Sequence, residues 1–204
     1  MSYTDKTLTF KSDKIYYTDT SFGGDFEVMM DWEDPLMSAS AAYVCGNGGD
    51  ILEIGFGMGI SAGYMHSHSI STHTIIENHP DIIPKAQAWA SNKSNVTIIT
   101  GSWYDIKDSL STYDGIFYDT FGDQNMKNFS SSLSALTKLN TKVTWWNNET
   151  KLELISPGRL LFENMLPETN YYNIPNVTYQ AMTVDPPTNS YFNSTTYYLP
   201  KKQF

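Results

Sequence analysis

The chain has 204 residues, 40% of them hydrophobic and 14% aromatic, which is enough for one well-buried core and short for two. Thirteen Lys and Arg against 22 Asp and Glu leave a formal net charge of −9, which argues against a nucleic acid partner and favours a cationic small molecule or basic peptide. No run of 18 apolar residues occurs, the first residues lack a charged-then-apolar leader, and Cys45 is the sole cysteine. The expectation is therefore a cytoplasmic protein without a membrane partner or internal disulfide, a single domain over 1–204 with an N-terminal arm at 1–28 and a core at 29–199.

In chain order, Thr7 to Phe10 and Lys14 to Tyr17 read as short β pieces of an arm or hairpin. Asp34 followed by Pro35 reads as an N-cap and first helical position, opening a helix that runs to about Cys45 and stops at Gly46. Asp50 to Phe56 is the first strand of a sheet and 58–67 its helix; 73–77 is the second strand. Pro80 to about Ser91 follows as a helix interrupted by Pro84, then Asn95 to Thr100 as a third, β-branched strand. Tyr113 to Tyr118 is the fourth. Met126, Phe129, Leu133, Leu136 and Leu139 recur at helical spacing, so a helix is expected from Asp123 to about Leu139. Asn140 to Thr150, with Trp145-Trp146, fits neither period and reads as an insertion or helix extension. Ser156-Pro-Gly158 reads as a turn launching a fifth strand, Arg159 to Met165; Val177–Val184 and Thr195–Leu199 form a terminal antiparallel hairpin. The link from Leu166 to Asn176 is too short and polar for a covering helix, so part of one sheet face is expected to be covered by the N-terminal arm, by the Trp145-Trp146 insertion or by a second subunit in a homodimer.

Two stretches carry chemistry. Ile51-Leu-Glu-Ile-Gly-Phe-Gly-Met-Gly59 is an apolar run closing in three alternate glycines, a strand, tight turn and helix start that lets backbone approach a ligand. His73-Thr-Ile-Ile-Glu77 ends in a carboxylate, Glu77, placed to accept ribose hydroxyls. The acidic-x-G-x-G-x-G form from Glu53 looks like the nucleoside turn of class I S-adenosylmethionine-dependent methyltransferases. His66, His68, His73 and His79 make no metal site by type or spacing.

Met29-Met-Asp-Trp-Glu-Asp-Pro-Leu-Met37, Leu52 to Gly59, Ile75-Ile-Glu-Asn-His-Pro80, Gly101-Ser-Trp103 and Tyr118-Asp-Thr-Phe121, in that order, resemble the guanidino-group methyltransferases. These are guanidinoacetate N-methyltransferase and the fungal and plant arginine δ-N-methyltransferases. The resemblance covers roughly 7–165 and resumes at Tyr197-Tyr-Leu-Pro200. It implies an α/β, Rossmann-like class I methyltransferase sheet, mostly parallel with a C-terminal antiparallel hairpin strand. It implies S-adenosylmethionine as cofactor, with S-adenosylhomocysteine as product, and a small-molecule or peptidyl guanidino substrate.

Carried over by motif, the resemblance puts Glu33 and Asp119 on the substrate guanidinium, with Asp119 the better proton acceptor and Glu33 able to share that task. It puts Asn164 on the substrate side. Glu53, Gly55, Gly57, Gly59, Glu77, Asn78, Ser102, Trp103, Met30 and Met37 fall around the cofactor. From the residues alone, Asp119 serves equally as a helix N-cap, Glu33 as a solvated first-turn acid, Trp103 as a core aromatic and the methionines as packing. The chain departs from the resemblance after the fifth strand, where other members carry a longer segment; another small amine as acceptor, or a nucleoside-binding relative without transfer, are the competing readings.

Overall fold

The computed structural model describes residues 2–21, 23–123, 125, 128–147, 152–156, 159–162, 174, 176–188 and 190–204. The arm is a three-stranded antiparallel sheet of β1 (Thr9–Phe10), β2 (Lys14–Asp19) and β3 (Gly24–Met30). The third strand runs unbroken through Val28 to Met30 and delivers the chain into a 3-10 turn, Asp31–Glu33, and then α1 (Asp34–Val44). Asp34 is the first residue of this helix rather than its cap, and it accepts a hydrogen bond from the Tyr64 hydroxyl at 2.9 Å. Glu33 occupies the cap position and turns its carboxylate back onto the Met30 N–H. The helix does not stop at Gly46: it tightens into a 3-10 turn, Cys45–Asn47, that contains Gly46 and ends at Gly48, whose φ is 66°.

The main sheet begins with β4 (Asp50–Ile54), followed by α2 (Ile60–His66), β5 (Thr72–Glu77), α3 (Ile83–Ala90), β6 (Val96–Thr100), α4 (Trp103–Ile106) and β7 (Tyr113–Tyr118). Pro84 sits in the first turn of α3, so it opens that helix rather than interrupting it, because the missing N–H is no loss there. Then come α5 (Phe129–Leu136), β8 (Thr137–Trp145), β9 (Leu152–Ser156), β10 (Arg159–Phe162), β11 (Thr178–Thr183) and β12 (Thr196–Gln203). Sheet order is β11-β12-β8-β7-β4-β5-β6. Strands β4 to β8 run parallel, and β12 lies antiparallel between β8 and β11. This is the expected mostly parallel sheet with a C-terminal antiparallel hairpin.

The fifth strand of that sheet is not where the sequence reading put it. Helix α5 stops at Leu136, and Thr137–Trp145 pairs in parallel with β7. Leu139, which completed the helical spacing, is 85% exposed. Its periodic match is accidental: Asn140 adopts a φ of 70°, where a bulge shifts the register against β7, and Thr141 donates its hydroxyl to the Tyr113 carbonyl at 2.6 Å. Past the bulge Val143, Thr144 and Trp145 are all buried, the pattern of a strand covered on both faces. Of Arg159 to Met165, expected as the fifth strand, the described part Arg159–Phe162 instead pairs antiparallel with β9 in a separate two-stranded ribbon. The 157–158 turn, Met126, Asn164 and all of Leu166 to Asn176 except 174 and 176 lie outside the described residues.

Apolar residues on the two sheet faces pack into two cores. Ile51 and Phe117 meet Leu36, Met37, Ala41 and Val44 of α1 and Met65 of α2 on one face. Leu52, Ile54, Ile116 and Tyr118 meet Trp103, Phe129, Leu133 and Leu136 on the other. A third cluster, with Leu8, Ile15 and Phe56 against Ile75 and Ala86, seats the arm sheet beside α3. At about 1.5–3 kcal/mol per fully buried large apolar side chain, these cores hold the carboxyl ends of the strands in register. Among the described residues no helix is long and apolar enough to cross a membrane.

Candidate active site

Strand order reverses at β4. From it the chain steps outward to β5 and β6, then returns to β7 on the other side. In open α/β sheets the crevice outside the carboxyl ends at such a reversal is where ligands bind. The residues after β4 are Gly55 to Gly59, and the residue after β7 is Asp119, whose N–H bonds the Ile54 carbonyl at 2.9 Å. Glycine at 55 is demanded by this approach. Its φ is +97°, and a Cβ there would stand 1.8 Å from the Asp119 carbonyl oxygen. At Gly57, φ +54°, a Cβ would stand 2.5 Å from the Met29 sulfur. The turn thus has no side chain at its three glycines, and the Asp119 backbone and the Met29 sulfur are pressed against it.

Glu77 closes β5 and is 5% exposed. Its Oε2 accepts the Phe56 N–H at 2.9 Å, and its Oε1 accepts the N–H groups of Asn78 and His79, each at 2.8 Å. Three donors fix the direction of the carboxylate and leave lone-pair capacity at Oε2. Glu53 is different: fully buried, it takes the Ser61 hydroxyl on Oε1, and Oε2 lies 2.9 Å from His73 Nε2 without hydrogen-bond alignment. It ties α2 to the sheet behind the glycine turn. Ser102 precedes α4, and Gly101 N–H reaches the Glu77 carbonyl at 2.9 Å, so that loop meets the end of β5.

Glu33 and Asp119 come together at this edge from chain positions far apart. Glu33 is 2% exposed, and its Oε1 accepts the Met30 N–H at 2.8 Å and the Tyr191 hydroxyl. Asp119 is partly exposed yet is closely surrounded by protein atoms. Burial pushes both carboxyls well above the ordinary carboxylate range; the charge of Asp119 pushes Glu33 further, and that of Glu53 pushes Asp119 further. Among the described residues neither is in an ion pair with Lys or Arg. The plainer readings of both find no support here: Glu33 is buried, and among the described residues Asp119 accepts no N–H of a following helix, α5 spanning Phe129–Leu136.

Other anticipated residues sit differently. Trp103 is 3% exposed in the core, edge-on to Tyr118 and Phe129, and its Nε1–H donates to Asp123 at 2.6 Å. Met37 packs in the α1 core. Met30 contributes its backbone N–H to Glu33, while its neighbour Met29, not singled out from sequence, places its sulfur against Gly57 and accepts the Met58 N–H at 3.2 Å. The Met-Met pair alternates across a strand, and nothing local says which of the two faces the turn. Trp32, Trp146, Tyr191 and Phe192 form an aromatic group adjoining Glu33, with ring centroids 5.7–6.3 Å apart for Trp32 against the other three. Tyr3 of the arm was also missed; its ring lies 4.6 Å from that of His79, beside Glu77. No three His, Cys, Asp or Glu side chains converge as a metal ion requires among the described residues.

Comparison with known proteins accords with this geometry. The family described as guanidinoacetate N-methyltransferase matches residues 18–201. Protein arginine N-methyltransferase 2 of Aspergillus fumigatus is 38% identical over 128 residues, covering 59% of this chain and 29% of that protein. The Kluyveromyces lactis protein of the same name is 29% identical over the whole of this chain and 51% of its own length. The chain thus spans about half the length, or less, of these curated relatives. In fold it is similar to spermidine synthase from Thermotoga maritima, with a TM-score of 0.61, 9% identity, and 97% of this chain and 72% of that one covered.

Proposed function

The chain belongs to the guanidinoacetate N-methyltransferase family of class I S-adenosylmethionine-dependent methyltransferases, and on that premise we propose that it methylates a guanidino nitrogen, the acceptor being an arginine side chain in a peptide or protein. The observation that carries this reading is the pair Glu33 and Asp119, two desolvated carboxylates at one edge with no ion pair to a Lys or Arg among the described residues. Such a pair is costly until a cation arrives. A guanidinium is planar, keeps its charge and offers several N–H groups at fixed angles, so it satisfies two carboxylates at once by charge-assisted hydrogen bonds. The names of the relatives and the net charge of −9 favour an arginine-bearing acceptor.

The residues of the glycine turn fit the cofactor. Glycine at 55 and 57 lets the Asp119 backbone and the Met29 sulfur close on the turn, and with Gly59 heading α2 this tight turn at the carboxyl end of β4 fits the methionine part, while the Glu77 carboxylate is held where ribose hydroxyls can donate to Oε2. Asn78 follows Glu77 directly and Ser102 follows the Gly101 contact to the end of β5, so both lie beside that edge, and Glu53 acts from behind by holding α2. Bound S-adenosylmethionine supplies a methyl group on a positively charged sulfur, and leaves as S-adenosylhomocysteine. Glu33 and Asp119 orient the guanidinium so that one nitrogen faces that methyl carbon in line. A guanidinium nitrogen has no free lone pair until it loses a proton. Asp119, next to the glycine turn and with its proton affinity raised, takes that proton as the nitrogen–carbon bond forms.

Calorimetry on the full chain tests this. S-Adenosylmethionine is titrated first; then an arginine peptide, free arginine and guanidinoacetate are each titrated in the presence of S-adenosylhomocysteine. The expected result is cofactor binding, peptide binding, and proton release with the peptide near neutral pH, because a bound cation lowers both raised carboxyls. Absence of cofactor binding overturns the reading of the glycine turn, and cofactor binding without any guanidino ligand overturns the acceptor.

A further inference from the structure

Tyr191 stands in the loop between β11 and β12, more than 150 residues from Glu33 in sequence, yet its hydroxyl donates to Glu33 Oε1. Its ring keeps one flank toward solvent, at 37% exposure, while the hydroxyl end is enclosed. Oε1 therefore accepts two donors from two elements, the Met30 N–H of β3 at 2.8 Å and this phenol. Oε2 receives no hydrogen bond among the described residues. A carboxylate pinned at one oxygen from two directions can no longer swing, so the other oxygen has a fixed aim. The rings of Trp32 and Trp146, 6.3 Å and 5.9 Å from that of Tyr191, hold the phenol in place.

We infer that Tyr191 is a positioning residue of the acceptor site: by holding Oε1 of Glu33 it presents Oε2 to the incoming guanidinium. The inference rests on the proposed function and deepens it by adding a residue that acts through Glu33. The groups facing Glu33 are Asp119 from the end of β7, the Met30 amide from β3 and Tyr191 itself; Glu53 stands behind Asp119, and Tyr197 of β12 faces Tyr191. The Tyr191 bond favours ionised Glu33. Its loss therefore raises the pH at which Glu33 becomes able to hold a cation.

The test compares the full chain with Tyr191→Phe, which removes one oxygen from a residue already partly exposed. Initial rates with an arginine peptide are measured across pH at saturating S-adenosylmethionine, and S-adenosylhomocysteine affinity by calorimetry. Expected are an unchanged affinity for S-adenosylhomocysteine, kcat lower by about tenfold or more with a smaller change in KM, and an acid limb of the rate profile moved to higher pH. The limb position does not depend on the folded fraction, so a purely structural role leaves it where it was. A Tyr191→Phe profile with an unmoved limb, whatever its kcat, overturns the inference while leaving the proposed function standing. A parent chain that methylates no guanidine overturns both.

Discussion

Replacing Asp119 by Asn keeps the shape of the side chain and removes its charge, so its two consequences separate cleanly. For catalysis, the bound guanidinium loses one of its two carboxylates and the proton loses its acceptor. Truncating one partner of a desolvated, hydrogen-bonded charge pair costs about 2–5 kcal/mol, which corresponds to a fall of about 30-fold to several thousandfold in kcat/KM. For stability the sign is opposite. Both Glu33 and Asp119 have folded-state pKa values above their ordinary ones, chiefly through burial. The folded state thus binds protons that the unfolded state has released, and stability falls as pH rises from the ordinary carboxylate range to the raised folded values. Each unit of upward shift is worth about 1.4 kcal/mol. Asp119→Asn removes its own share of that penalty and the repulsion it exerts on Glu33, so the variant melts higher than the parent at and above neutral pH, by less in mild acid, and level with it only below the ordinary carboxylate range. The assay pairs product detection by mass spectrometry with melting curves across pH. A variant that turns over at the parent rate, or that melts lower than the parent above neutral pH, refutes the reasoning.

Two further substitutions test the packing behind the site. Gly55→Ala puts a methyl group 1.8 Å from the Asp119 carbonyl oxygen in a backbone conformation that L side chains rarely adopt, so a loss of about 1–3 kcal/mol is expected in denaturant unfolding, with weaker S-adenosylmethionine binding. Unchanged stability and binding would remove the argument that this glycine is required by the approach of β7. Leu139→Lys is expected to leave stability within about 0.5 kcal/mol of the parent, because the side chain stands in solvent on the β8 bulge. A cost of about 2–5 kcal/mol, as for a buried leucine, would instead restore Leu139 to the apolar face of a helix.

Strands β4 to β7 and the glycine turn were legible because each is a local pattern. An apolar run closed by glycines needs no distant partner to declare itself, and the order of such runs separated by helices implies a parallel sheet. Glu33 and Asp119 were legible as types at the ends of elements, while their meeting was not, since 85 residues lie between them. The misplacement of the fifth strand has a specific cause. Leu133, Leu136 and Leu139 keep helical spacing across Leu136, where the helix ends, and periodicity carries no mark of a residue that falls in phase by chance. Only pairing with β7, with Thr141 bonded to the Tyr113 carbonyl, makes Thr137–Trp145 a strand.

By itself, then, the sequence determined the class of sheet, the bare turn at its carboxyl edge and the acidic residues that border it, because these rest on conformational preferences and charges that residues carry wherever they sit. Tertiary structure alone decided which groups share a dielectric environment. Burial turned Glu33 from a possible surface acid into a desolvated one and set Asp119 beside it. The same folding drew Trp103 into the core, put Met29 rather than Met37 against the glycine turn, and brought Tyr191 from the far end of the chain to Glu33. Desolvation and hydrogen-bond direction depend on what surrounds a group in space, and no local stretch of sequence encodes its own surroundings.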